Sequence, residues 1–336
     1  MKAWRAIEGF FVKRYRLFLF DLYNGRLIRW YRQKKNNALL NAPRRDEKCD
    51  AQIAKCVARI KLLKQKLGRA EDEQLSEGAV LRLDGLCMYF GGVKAVDGLS
   101  FEIGQGEIFG LIGPNGAGKT TVFNCITQFY EPTRGSILYR NGADVQNLTD
   151  LKVHNVIPLG ISRTFQNVET IWELTVLENV MIGAHANFMT GLFAHMFHLP
   201  ALKREERAIR AKALKVLEYM DISAYAGFYA YGLPYGVLKK IEIARALMCD
   251  PQFLILDEPA AGMNEAETKE LARMIKRIRD DYRCTVFLVE HDMGLVMDVC
   301  ERICAISFGK MLAIGTPKEI QGNKAVVEAY LGSSDE

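Results

Sequence analysis

Residues 113–120 read Gly-Pro-Asn-Gly-Ala-Gly-Lys-Thr, the pattern G-x-x-x-x-G-K-[ST], and they stand between two segments of contrasting character. Before them Glu107-Ile-Phe-Gly-Leu-Ile112 is a short apolar run that predicts a buried strand, and after them Thr120–Gln128 predicts a helix. No other stretch constrains the fold as much. Strand, glycine loop and helix in that order belong to a parallel α/β sheet with the loop at a strand's carboxyl end. Glycines let backbone amides curl round phosphate oxygens, and the helix N-terminus adds its positive dipole end. Lys119 supplies a point charge and Thr120 a hydroxyl suited to Mg²⁺. Asn115, Gly116, Gly118, Lys119, Thr120 and Thr121 are the candidate phosphate-binding residues.

The second half of such a site is a carboxylate pair. Leu254-Ile-Leu-Asp-Glu-Pro259 ends an apolar strand with two acids at its carboxyl edge, where open α/β sheets bind ligands. Successive strand residues point to opposite faces, so the two acids take different roles. Asp257 is placed to hold Mg²⁺, directly or through water, and Glu258 to orient and deprotonate an attacking water. Thr285-Val-Phe-Leu-Val289 predicts a further strand, and the charged amphipathic segment Glu265–Asp281 a crossover helix before it. His291, in Val289-Glu-His-Asp292, then lies at the end of the strand beside the carboxylates, within reach of a γ-phosphate. Earlier, Val80–Leu83 and Gly98–Ile103 read as strands flanking Gly91-Gly92.

Composition adds a division of the chain. Among 336 residues, 45 Lys or Arg against 40 Asp or Glu give +5, and 49% hydrophobic content is ordinary for a globular protein. That excludes a largely disordered, collagen-like or disulfide-scaffold chain. The average conceals two parts: residues 1–80 hold 19 basic and 9 acidic side chains, a net of +10, and the rest is −5. In the head, Trp4, Ile7, Phe11, Tyr15, Phe18 and Leu22 recur at helical spacing among arginines, and Ile53, Cys56, Ile60, Leu63 and Leu67 repeat in a second amphipathic pattern. The acidic stretch Glu71–Gly78 reads as a linker. The longest uninterrupted candidate for a membrane span, Leu17–Leu22, already contains Asp21, far short of the roughly 18 apolar residues that a crossing needs. Eight cysteines occur without a C-x-x-C pair, which reads as reduced thiols in a cytosolic setting. Cys300 and Cys304, spaced one helical turn apart, read as buried small hydrophobes rather than metal ligands.

Taken together, these motifs resemble the ATP-binding subunits of ABC transporters over about Val80–Leu331. Arg163-Thr-Phe-Gln166 is similar to the family's Q-loop, Asp257-Glu258 to its Walker B pair, His291 to its switch histidine and Ala261-Gly-Met-Asn264 to its D-loop. Leu233-Pro-Tyr-Gly-Val237, followed by Ile241–Arg245, is similar to its signature, though Pro234 and Val237 depart from the usual Ser and Gln, as Asn264 does from Asp. The resemblance implies ATP and Mg²⁺ as cofactors, Phe90 stacked on adenine, and Gln166 sensing the γ-phosphate and metal. It also implies a dimer in which Gly236 of one subunit faces the phosphate loop of the other, closing on ATP to move a permease.

Gly160–Gln166, Leu174–Val180, Glu258–Asn264, the insert Ala184–Pro200 and the tail Gly315–Gly332 resemble the longer ATPase of branched-chain amino-acid importers and their amide and urea relatives. That implies two permease subunits, a second ATPase making a heterodimer or homodimer, an indirectly coupled extracytoplasmic solute-binding protein, and a peripheral place on the cytoplasmic face of the inner membrane. The expected organisation is an extension at 1–79 and a nucleotide-binding domain at 80–336, with an antiparallel β-subdomain at about Val80–Phe109 and a helical subdomain at about 167–250. Docking of residues 1–35 on anionic lipid or on permease helices is the expectation for the basic head; nucleic acid is the weaker one. The alternatives are an exporter ATPase, since the core motifs do not encode direction, and a soluble ABC-type ATPase acting on ribosomes or nucleic acid.

Overall fold

Four short strands, β3 (Ile108–Ile112), β7 (Phe253–Asp257), β8 (Thr285–Val289) and β9 (Arg302–Ser307), alternate their side chains between two cores. Ile108, Ile112, Leu254, Leu256, Val286, Leu288, Ile303 and Ala305 enter one. Phe109, Leu111, Phe253, Ile255, Phe287, Val289, Cys304 and Ile306 enter the other. Burial on both faces is why these segments read as continuous apolar runs. With β6 (Ile161–Arg163) and β10 (Lys310–Gly315) they form a six-stranded sheet ordered β10-β9-β3-β8-β7-β6, parallel except for β10.

The computed structural model describes residues 75–142, 144–164, 170–184 and 200–331. These lie mainly in one compact unit, residues 75–188 with 206–336. The N-terminal amphipathic segments, Gln166 and most of the insert after Ala184 fall outside the described residues. Among the described residues no helix is long and apolar enough to cross a membrane.

A second sheet is antiparallel: β1 (Ala79–Phe90), β2 (Val93–Gly104), β4 (Arg134–Asn141) and β5 (Asp144–Asn147), in the order β2-β1-β4-β5. This shifts the expected β-subdomain. The sequence placed it at Val80–Phe109, but β3 belongs to the parallel sheet, and of the two strands that follow the glycine loop β4 fills the free edge of β1 and β5 pairs with β4. Five phenylalanines hold the sheets together. The Phe287 ring meets Phe123 at 4.8 Å, Phe109 at 5.9 Å, Phe101 at 6.1 Å and Phe253 at 6.3 Å.

The helices are α1 (Lys119–Ile126), α2 (Val176–Ile182), α3 (Pro200–Tyr219), α4 (Tyr235–Leu247), α5 (Glu265–Tyr282), α6 (Met293–Val299), α7 (Pro317–Gln321) and α8 (Lys324–Leu331). Helices α2 to α4 supply the helical part, while α5 is the expected crossover between β7 and β8. Its start is local chemistry: Asn264 Oδ1 accepts from the Glu267 amide at 3.0 Å, and Glu267 Oε2 accepts from the Asn264 amide at 2.9 Å. Cys304 lies in β9 rather than on a helix with Cys300, and both are buried.

Candidate functional site

Sheet order and register assemble the site. Leu111 of β3 pairs with Val289 of β8, and Val289 with Asp257 of β7, so three strand ends finish at one level. The glycine loop leaves the first, Glu290 and His291 the second, and Glu258 follows the third. Residues almost 180 positions apart in the chain thereby share one sheet edge, the ligand-binding edge of such folds.

The loop's shape depends on missing side chains at two positions. A Cβ on Gly113 would lie 2.3 Å from the Ile306 carbonyl oxygen, and one on Gly118, whose φ is +102°, the same distance from that of Ala95. The Gly309 amide donates to the Ala117 carbonyl at 2.9 Å, so the β9–β10 turn braces the loop from behind. Lys119 is buried, and its Nζ donates to the Gly113 carbonyl at 2.7 Å and the Pro114 carbonyl at 3.1 Å. Burial pushes its pKa below the ordinary lysine range, opposed by the negative charges of Glu258 and Asp257. Thr120 is exposed, and its amide belongs to the first turn of α1, which an α-helix leaves without intrahelical partners.

Asp257 is only 1% exposed. Its Oδ2 accepts from Arg163 Nη2 at 2.8 Å, while Oδ1 is buried without a hydrogen-bond partner. Burial raises its pKa, and Arg163 opposes the shift. A buried carboxylate oxygen with unused lone pairs, in reach of the loop's charge, fits a hard divalent cation such as Mg²⁺. Glu258 sits just beyond the strand in the left-handed region at φ +46°, its amide donating to the Val289 carbonyl at 2.9 Å. For a non-glycine residue that conformation is uncommon and concentrates at functional sites. His291 is exposed on the same edge, its side chain 57% accessible.

The other expected residues fall in different places. Phe90 is exposed at the end of β1, edge-on to Tyr130 with ring centroids 5.2 Å apart. Gly236 lies in the first turn of α4, in a groove with Pro234, Val237, Lys240, Met263 and Glu267, none of them from the glycine loop. Gln166 lies outside the described residues, two positions after Thr164, whose hydroxyl accepts from the Asp257 amide at 3.2 Å.

Two residues carry contacts that motif reading did not assign. Arg163 ties Asp257 to α1 through Asn124 Oδ1 at 2.7 Å and packs over the Phe123 ring. Glu290 is fully buried beside His291. For Glu290 the available signal was a charged residue placed directly after the apolar run Thr285–Val289; Arg163, which follows Ser162, carried no such signal.

Residues 96–261 match the ABC transporter family model, and residues 310–336 that of branched-chain amino acid ATP-binding cassette transporters. The high-affinity branched-chain amino acid transport ATP-binding protein LivG of Salmonella typhimurium is 44% identical over 255 residues, covering 76% of this chain and 98% of LivG. BraF of Pseudomonas aeruginosa, of the same description, is 42% identical over the same shares. Among solved structures, a nucleotide-free ATP-binding cassette from an ABC transporter is similar with a TM-score of 0.65 and 30% identity, covering 75% of this chain and 98% of that one. An ABC transporter cassette in its ADP conformation is similar with the same TM-score and identity, covering 76% of this chain and 99% of its own length.

Proposed function

The chain belongs to the ABC transporter family of ATP-binding, ATP-hydrolysing cassettes, and from that premise we propose that it powers an importer of branched-chain amino acids or related small polar solutes. The substrate class rests on the relatives LivG and BraF, whose names state branched-chain amino acid transport. Solute selection itself belongs to other subunits.

In this reading Phe90 offers a π-face to adenine, which suits a nucleotide held mainly by its phosphates. Lys119, Asn115, Gly116, Gly118, Thr120 and Thr121 bind the phosphates through charge and backbone amides. Asp257, Thr120 and Gln166 would hold Mg²⁺, which would neutralise charge on the phosphate oxygens. Glu258 orients the attacking water and accepts its proton, and His291 donates to the γ-phosphate. Gly236 and the first turn of α4 complete the site of a second ATPase subunit, a role supported by a groove around Gly236 that no glycine-loop residue lines.

Two permease subunits are the proposed membrane partners. Exposed Trp172, Phe228, Tyr229 and Tyr231 support a docking surface beside the helical part: Thr175 bridges Tyr229, and the Val176 amide donates to the Phe228 carbonyl at 2.8 Å. The observation that carries the catalytic reading is the single row Leu111–Val289–Asp257, which delivers loop, histidine and carboxylates to one edge. Glu258→Gln tests it: hydrolysis should fall by at least about 10²-fold while an ATP-bound dimer accumulates in gel filtration. Wild-type turnover in that variant would refute Glu258 as the base.

A further inference from the structure

Glu290 has no place in the steps above, yet its carboxylate is completely enclosed and fully engaged. The Ala260 amide donates to Oε1 at 2.6 Å, and the His291 and Asp292 amides donate to Oε2 at 2.9 and 3.2 Å. Ala260 is two residues beyond Glu258, in the segment leading to the D-loop; His291 is the switch residue. One side chain therefore ties the backbone that aims the base to the backbone that aims the histidine. A second tie runs parallel to it, since the Glu258 amide donates to the Val289 carbonyl.

The residue type matters. A carboxylate presents two acceptor oxygens and no donor, which three converging N–H groups require; a glutamine amide would turn its NH₂ toward one of them. Burying a carboxylate is costly unless it is hydrogen-bonded in this way. Such an arrangement is retained where geometry must hold to fractions of an ångström, because small misplacement of catalytic groups lowers turnover steeply. We infer that Glu290 is a positioning residue for ATP hydrolysis, locking the Glu258 loop and His291 into one rigid unit. This rests on Glu258 and His291 being the hydrolytic pair proposed above.

The test measures ATP turnover and nucleotide affinity in the full chain for wild type, Glu290→Gln, Glu290→Ala, His291→Ala, Glu258→Gln and the double variant Glu290→Gln/His291→Ala. Glu290→Gln is expected to lower kcat at least about tenfold, with KM and the Kd for ATP within about twofold, and Glu290→Ala to lower kcat further. Because Glu290 acts through His291, Glu290→Gln should cost markedly less in the His291→Ala background than in wild type. Wild-type kcat in both Glu290 variants, full additivity in the double variant, or a fall expressed in nucleotide affinity or in loss of folded protein would each overturn the inference. Full turnover in Glu258→Gln would remove the underlying site reading and the inference with it. Lost turnover in Glu258→Gln and His291→Ala, with none lost in either Glu290 variant, overturns the inference alone.

Discussion

Lys119 and Asp257 are charged groups whose burial works against their charge, and each is kept useful by a neighbour of opposite sign. For Lys119 the shift is downward, so its neutral form appears at a lower pH than for an ordinary lysine near about 10.4. ATP affinity should accordingly weaken, as pH rises, at a pH below that value; fluorescence titration of nucleotide binding across the alkaline range measures the midpoint. For Asp257 burial pushes the pKa up and Arg163 pulls it down. Arg163→Ala removes the counter-charge and leaves the buried acid alone, a change that costs about 3–5 kcal/mol when one partner of a buried pair is lost. The sign with pH is definite. A carboxyl whose folded pKa lies above its unfolded value is most favourable to folding below the unfolded pKa, and it loses that contribution as pH rises to the folded one. Urea denaturation should therefore show the variant's deficit against wild type growing from acid to neutral pH. Lys119, Asp257 and Glu258 stood out as candidates from residue type and spacing. The Arg163 contact was not, because it links residues 94 positions apart.

The elements show why some boundaries were readable and others were not. Strand β8 coincides with its apolar run at Thr285–Val289, and α5 ends one residue from its periodic pattern, since burial on two faces or on one stripe leaves a local trace. The antiparallel sheet left a weaker trace. Nothing local in Arg134–Asn141 says that it pairs with β1; the unpaired edge of β1 decides that in the folded state. At Asn264 the local signal is a helix cap. Where the family's D-loop commonly has Asp, this residue is the N-cap of α5, a role asparagine fills as well as aspartate. The join between sheets is the element-scale feature most exposed to mutation. Phe287 is fully buried and touches four other phenylalanines, so Phe287→Ala should cost about 3–5 kcal/mol in chemical denaturation, with the loop and carboxylates still in place.

At the scale of the whole molecule, relatives at 42–44% identity match almost their full length while covering about three-quarters of this chain. The ABC transporter family match at residues 96–261 lies outside the +10 head of residues 1–80, and we propose that nucleotide binding is confined to the residues that follow this head. Deleting residues 1–79 is expected to leave ATP affinity within about twofold while weakening attachment to permease or anionic vesicles, an electrostatic interaction worth about 1 kcal/mol per basic residue near the surface. Co-sedimentation across salt, paired with nucleotide titration, measures both; loss of ATP binding would refute the division. The sequence by itself determined the phosphate loop, the strand-borne carboxylates, the α/β class and the family, because each of these is written in residues adjacent along the chain. Only the tertiary structure decided which strand ends share an edge, that β4 and β5 complete the first sheet, that Arg163 is the partner of Asp257, and that Glu290 ties the backbone at Ala260 to that at His291 and Asp292. Those are pairings between distant residues, selected by burial and hydrogen-bond satisfaction in the folded chain, and no local pattern encodes them.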